Sequence, residues 1–305
     1  MQNKSTSKSQ PLGRVLAFSL IALGVSTAQA QERLVFSGGP DGGRFQLYAE
    51  AIATHLSGDQ LQITPIISAG SIENLRRVNA RDADFGIVYA ADLTLGLNGG
   101  LTNDARHYRY VLAVSALYPA PAQLVVMADS AIEDPQDLIG RRVAVGPAGS
   151  GAAAFAERYF KSLGIWDQIS PRFVGYSQGA DALAAGQVDA LWVFAGYPTP
   201  AIAQLSQSQA VRLLDTHAAA EASGFYASHP YYQAGEIPAG VYTGIEDAVY
   251  SVQDLAVWVA GAHVSDAQVS SQLLQVRDGL NLPMLDAEKA LEGVTTPIHP
   301  GVQTQ

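Results

Sequence analysis

The chain has 305 residues, close to half of them apolar, with no cysteine and a net charge of −10. The absent cysteine excludes disulfides, thiolate metal sites and a lipid-modified cysteine at a cleavage point. The acidic balance argues against nucleic acid or an anionic membrane surface as partner. The length exceeds one typical domain and suits two.

The first thirty residues read as a secretory signal. Lys4, Lys8 and Arg14 form a positive start, Val15 to Val25 is an apolar run, and Ala28-Gln29-Ala30 is a small-x-small cleavage box. The run is shorter than the roughly 20 apolar residues a membrane span needs. The expectation is export to a Gram-negative periplasm with cleavage after Ala30 and no membrane-embedded segment afterwards. The removed segment holds three of the 18 basic residues and none of the 28 acidic ones, so the exported chain carries fifteen against twenty-eight, a net −13.

The chain then alternates strand and helix. Leu34 to Ser37 is a strand, Gly38 to Gly43 a turn, and Arg44 to Leu56 a helix with Phe45, Tyr48, Ala49, Ile52, Ala53 and Leu56 on one face. A strand over Leu61 to Ile67, a helix over Ile72 to Asn79 and a strand over Asp84 to Tyr89 follow. That order implies a parallel sheet with helices on its faces. The pattern restarts with strands over Tyr110 to Leu117 and Gln123 to Met127, separated by a break at Pro119-Ala120-Pro121. After a strand over Arg142 to Val145 come a Gly-rich turn, a helix over Ala152 to Leu163 and a strand over Arg172 to Tyr176. A helix over Gln178 to Ala185 and a strand over Ala190 to Phe194 complete the second unit. The expected organisation is a signal at 1–30, one domain at 31–117 plus 251–305, and a second at 118–250. One hinge falls near Leu117 to Gln123, its freedom limited by Pro119 and Pro121.

Two strand–Gly-loop–helix units, SGGPDGGRF at 37–45 and VGPAGSGAAA at 145–154, carry the most chemistry. Glycine lets a ligand approach the backbone. The free N–H groups and the positive end of the helix dipole then cradle an anion. Ligands of open parallel sheets sit beyond the C-terminal strand ends. Two such loops facing each other make a two-jawed carboxylate clamp, although Gly-rich turns also join strands to helices in many folds that bind nothing there. Neither loop has the Walker Lys-Ser/Thr ending or G-x-G-x-x-G, so no nucleotide and no cofactor is expected. Ser71 reads as a helix N-cap with Asn74 at N3; the pair is either a cap and a solvated amide or a hydroxyl and an amide offered to a ligand.

No H-E-x-x-H pair and no G-x-S-x-G elbow occurs, and no metal site is expected. His229-Pro230 and His299-Pro300 lie in Pro-rich turns, where structural roles are expected. Ser150 sits at a helix start without an evident base nearby. A hydrolase or transferase is the remaining enzyme alternative, and the expectation is that the chain is not an enzyme.

Six motifs occur in order: G-G-P-x-G-G, A-G-S-I-E-N-L-R, G-P-A-G-S-G, L-A-A-G-Q-V-D-A followed by A-G-Y-P-T-P-A-I, I-P-A-G-V-Y and P-I-H-P-G. Together they resemble the TAXI family, the extracytoplasmic solute receptors of one branch of tripartite ATP-independent periplasmic (TRAP) transporters. The resemblance covers nearly the whole exported chain. It implies a type II periplasmic-binding-protein fold of two α/β domains around a hinged cleft. It also implies a glutamate-like or dicarboxylate ligand and delivery to TRAP membrane permease subunits. By position, Gly42, Gly43, Ser71, Asn74, Ser150, Gly151 and Tyr197 match residues expected to line the cleft. There are departures. Tyr89 stands where the family commonly has Gln, Ala152 where it has Thr, and Arg44 where a small or aromatic residue is frequent. Arg44 is either a bidentate carboxylate partner or a solvent-facing first-turn residue. The tyrosines Tyr226, Tyr231 and Tyr232 are either a cleft rim, a permease contact or ordinary packing. A monomer is expected. A sensor that presents its bound metabolite to a receptor kinase shares the same fold and is the alternative role.

Overall fold

The computed structural model describes residues 1–2, 31–291 and 296–302. The signal sequence lies outside the described residues. In chain order the elements are β1 (Glu32–Ser37), α1 (Arg44–Leu56), β2 (Leu61–Ile66), α2 (Ser71–Ala80), β3 (Phe85–Tyr89), α3 (Ala90–Asn98) and β4 (Val111–Met127). Then come β5 (Arg142–Ala144), α4 (Gly151–Ser162), β6 (Ser170–Arg172), α5 (Tyr176–Ala184), β7 (Ala190–Phe194), α6 (Pro200–Ser208) and β8 (Val211–Leu214). The last are α7 (His217–Ala222), α8 (Phe225–Ser228), β9 (Gln233–Ile237), β10 (Val249–Gly261), α9 (Asp266–Gly279) and the short α10 (Ala287–Ala290).

One mixed sheet runs β2-β1-β3-β10-β4-β7-β5-β6, with β8 added to β4 and β9 to β10. Its two ends are parallel, as the alternating pattern requires: β1 pairs in parallel with β2 and β3, and β5 with β6 and β7. We call these ends the first and second wing. The long strands β4 and β10 join them antiparallel. β10 pairs with β3 over Ala256 to Ala260 and with β9 over Val249 to Gln253. β4 pairs with β7 only from Ala122 onward.

The break expected at Pro119-Ala120-Pro121 does not occur; β4 continues through it. Proline removes a ladder donor, but residues two apart turn their backbone groups to the same edge of a strand. Both missing donors therefore fall on one edge. A second correction concerns Arg172 to Tyr176, which is not one strand. β6 ends at Arg172, and Gly175 is the N-cap of α5, which places Tyr176 at the start of a helix.

The core is continuous across the junction of the wings. Tyr89 at the end of β3 and Phe194 at the end of β7 have ring centroids 4.1 Å apart, and Phe45 of α1 lies 4.7 Å from Tyr89. On the far side of Phe194, Phe155 of α4 packs at 4.5 Å and itself stacks on Tyr232 at 4.3 Å. Tyr232 is thus core packing, and Tyr226 bonds His217 Nδ1 at 2.8 Å. His299 is buried between the backbone of Val264 and Gly301, in a structural role. No helix among the described residues is long and apolar enough to cross a membrane.

Candidate functional site

The C-terminal ends of β1, β3, β5 and β7 converge, and each feeds a loop or helix start toward the junction. A cavity there is walled by Gly43, Arg44 and Phe45 of the first loop, Ala69 to Ser71 of the second, Tyr89, Gly151 and Ala152 of the third, and Tyr176 and Ala195. A water-sized sphere can move its centre through about 10 Å³ of it, room for roughly one water. The structure thus brings Gly43, Arg44, Ser71, Tyr89, Gly151 and Ala152 together. Gly42, Asn74, Ser150 and Tyr197 lie outside that wall.

The walls touch through glycines. A Cβ on Gly151 would lie 2.2 Å from Asp92 Oδ2, 2.8 Å from Ser71 Cβ and 3.1 Å from Tyr89. On Gly42, whose φ is 74°, it would lie 2.4 Å from Ser177 Oγ. Both loops are therefore surfaces on which the opposite wing rests.

Tyr89 crosses the junction. Its hydroxyl donates to the carbonyl of Phe194, which also accepts from Tyr176 at 2.8 Å. Burial pushes the Tyr89 phenol well above its ordinary value and the Tyr176 phenol upward, so both are neutral donors.

Arg44 is half-buried, and its guanidinium pairs with no acid among the described residues. Nη1 donates to the carbonyls of Tyr197 and Pro198, each at 3.1 Å, and Nη2 to the Tyr48 hydroxyl at 3.1 Å. The guanidinium carbon stands 5.3 and 5.4 Å from the ring centres of Tyr48 and Tyr118.

Ser71 is the first residue of α2 and not its cap. Gly70, at φ 118°, is the N-cap, a left-handed conformation that favours glycine, and Glu73 accepts from the Ala69 N–H at 2.6 Å. The Ser71 hydroxyl instead accepts from the Tyr89 N–H at 2.9 Å. Asn74 is fully buried and its amide is committed to protein: it accepts from Ser37 Oγ and donates to the carbonyls of Gly38 and Ile87, all at 2.6 Å. Ser150 caps α4 by accepting from the Ala153 N–H at 3.0 Å. It lines a separate side cavity of about 280 Å³ with Arg76, Asn103 and Glu157.

Behind the chamber lies a buried charge network that the linear motifs do not reveal. Asp92 of α3 accepts from Arg158 Nη2 of α4 at 3.0 Å, and Arg158 also donates to the Tyr232 hydroxyl. Asp254 of β10 accepts from the N–H groups of Ala91 at 2.9 Å and Leu255 at 2.7 Å. Burial, aided by the Asp92 charge and opposed by these hydrogen bonds and Arg158, lifts its carboxyl from 3.8 to about 8. The folded state therefore keeps a proton that the unfolded chain releases, and stability falls as pH rises from about 4 to about 8. At roughly 1.4 kcal/mol per pH unit, Asp254→Asn should remove a pH dependence of several kcal/mol. Thermal unfolding at pH 5 and pH 8 checks this: the midpoint should fall between them in the parent and fall much less in the variant. Among the described residues no cluster of acids and histidines is placed to hold a metal.

Solved structures share this architecture. The alkanesulfonate-binding protein SsuA of Xanthomonas axonopodis pv. citri, bound to MOPS, is similar at 20% identity and TM-score 0.50, over 90% of this chain and 81% of that one. A protein of Bordetella bronchiseptica RB50 is similar at 15% identity and TM-score 0.53, over 87% and 76%. The periplasmic aliphatic sulphonate binding protein SsuA of Escherichia coli aligns at 15% identity and TM-score 0.46, over 82% and 75%. The mixed α/β fold is that of the periplasmic binding proteins, as expected from the sequence. A family model matches residues 36–303, and the chain belongs to the NMT1-like family.

Proposed function

We propose that the chain is an exported solute receptor. It captures a small carboxylate between its wings and delivers it to the membrane subunits of a TRAP permease, without chemically altering it. One observation carries the reading: loops from both wings wall a single cavity at the C-terminal ends of parallel strands, where open α/β sheets hold their ligands. The fold shared with an alkanesulfonate-binding protein supports the receptor role. The ordered motifs of the sequence support the permease partner. Binding to the N–H groups of one Gly loop and closure of the other wing over the ligand would be linked, because contacts made only in the closed form shift the population toward it.

A thermal-shift screen of small carboxylates, sulfonates, amino acids and sugars tests the reading. A specific solute at a hundredfold excess over its Kd should stabilise the protein by about 2.7 kcal/mol and be recovered unchanged by mass spectrometry. A solute recovered chemically altered would replace the receptor by an enzyme. Absence of any bound or stabilising solute, including in extracts of the protein purified from its own cells, would remove the receptor reading.

A further inference from the structure

The chamber wall carries one charge. Of its described lining residues only Arg44 is ionic, and no Asp, Glu, Lys or His is among them. The rest of the wall is Pro40, Phe45, alanines and glycines, with the hydroxyls of Ser71, Tyr89 and Tyr176.

Among the described residues Arg44 has no counter-ion. Two other arginines that reach the junction are satisfied by acids, Arg158 by Asp92 and Arg76 by Asp104, each at 3.0 Å. Arg44 has only neutral acceptors, two carbonyls and a phenol. Its Nε is buried with no acceptor, and so is the hydroxyl of neighbouring Tyr118. Charge-assisted bonds to an anion are roughly twice as strong as bonds to neutral groups, so an anion competes effectively for this guanidinium.

The same wall limits what the anion carries. An amino acid needs an acidic partner for its ammonium group, since an unpaired buried charge is costly. Among the described residues the wall supplies none; Asp92 approaches Gly151 but does not wall the cavity, and Arg158 holds its Oδ1. A dicarboxylate needs a second cation, which is also missing from the described wall. The alanines and aromatic rings suit a short apolar body, which enters only as the wings part, since the closed chamber has room for roughly one water.

We propose that the chamber selects a small anion of single charge with a short apolar body, a monocarboxylate or an alkanesulfonate, and that Arg44 is the residue that sets this choice. The proposal rests on the receptor reading and narrows the glutamate-like or dicarboxylate ligand that the sequence resemblance implies.

Isothermal titration of protein produced from the full chain tests it, with propionate, ethanesulfonate, succinate, glutamate and uncharged propionamide as probes. Propionate or ethanesulfonate should bind at least about tenfold more tightly than succinate, glutamate and propionamide; which of the two is preferred names the head group. Arg44→Met should weaken that binding by at least about tenfold. Arg44→Lys, which keeps the charge and loses the fork, should weaken it less, with unfolding curves confirming that both variants fold. Tighter binding of succinate or glutamate would overturn the selection while leaving the receptor intact. So would an Arg44→Met variant that folds and binds as the parent does. If no probe binds, the selection fails as well. The receptor reading then turns on whether protein purified from its own cells releases a different solute on denaturation.

Discussion

Gly151→Ala should weaken solute binding by about ten- to a hundredfold while leaving the fold in place. Gly151 is the first residue of α4 and does not have a positive φ, so alanine is locally acceptable. The cost arises across the junction, where the new methyl would meet Asp92 Oδ2 at 2.2 Å, Ser71 Cβ at 2.8 Å and Tyr89 at 3.1 Å. Overpacking of this kind costs about 1–3 kcal/mol. Because the clash exists only while the wings touch, that cost reads out as lost affinity, at about 1.4 kcal/mol per tenfold. Small-angle scattering should report a larger radius of gyration for the variant. Gly58→Ala is the control, since a Cβ there meets nothing within 4 Å. A Gly151→Ala protein with parental affinity and parental scattering would show that contact at Gly151 does not govern binding.

Arg158→Met should be the most destabilising single change at the junction. The Asp92 side chain is 1% exposed and Arg158 10%, so removing the guanidinium strands a carboxylate out of water. Among the described residues Asp92 Oδ2 has no hydrogen-bond partner even in the parent, so none of them is a reserve donor. Breaking a buried pair from one side costs about 3–5 kcal/mol. At roughly 2–4 °C per kcal/mol for a chain of this class, the unfolding midpoint should drop by about 10 °C. The double variant Asp92→Leu/Arg158→Met should recover much of the loss, because apolar replacement of both partners is often close to neutral. A single variant within roughly 2 °C of the parent, the scale of a surface substitution, would mean that Asp92 is solvated or that the wings do not meet in solution.

The parts of this molecule visible in the sequence are those encoded locally. The apolar face of α1 and the Gly turns before α1 and α4 depend on neighbours three or four positions away, and both helices lie where the pattern places them. β4 was obscured because Pro119 and Pro121 mark a break, whereas the partner strand that tolerates them, β10, lies more than a hundred residues downstream. The sequence hides Tyr176 for a related reason. Gly175-Tyr176 repeats the strand–Gly–helix signal, but the β-favouring residues before it extend the apparent strand through it. At the site, six of the ten candidate positions wall one cavity, but the partner of each side chain is not legible in the sequence. That Arg44 reaches the Tyr197 and Pro198 carbonyls, or that Asp92 meets Arg158, depends on how distant segments stack. Asn74 shows the converse: a polar residue amid motif glycines looks available to a ligand, yet three internal bonds occupy its amide.

The place of β10 between β3 and β4 also fixes an order of assembly. During synthesis β1 to β4 emerge early, but the strand that fills the gap between β3 and β4 begins only at Val249. Until it arrives, the inner edge of β3 has no partner and the first wing is unfinished. The second wing needs no such wait, since β4 through β8 form one uninterrupted stretch of chain. An unpaired inner edge invites mispairing with other chains, so the nascent protein is most exposed to aggregation between the appearance of β3 and that of β10.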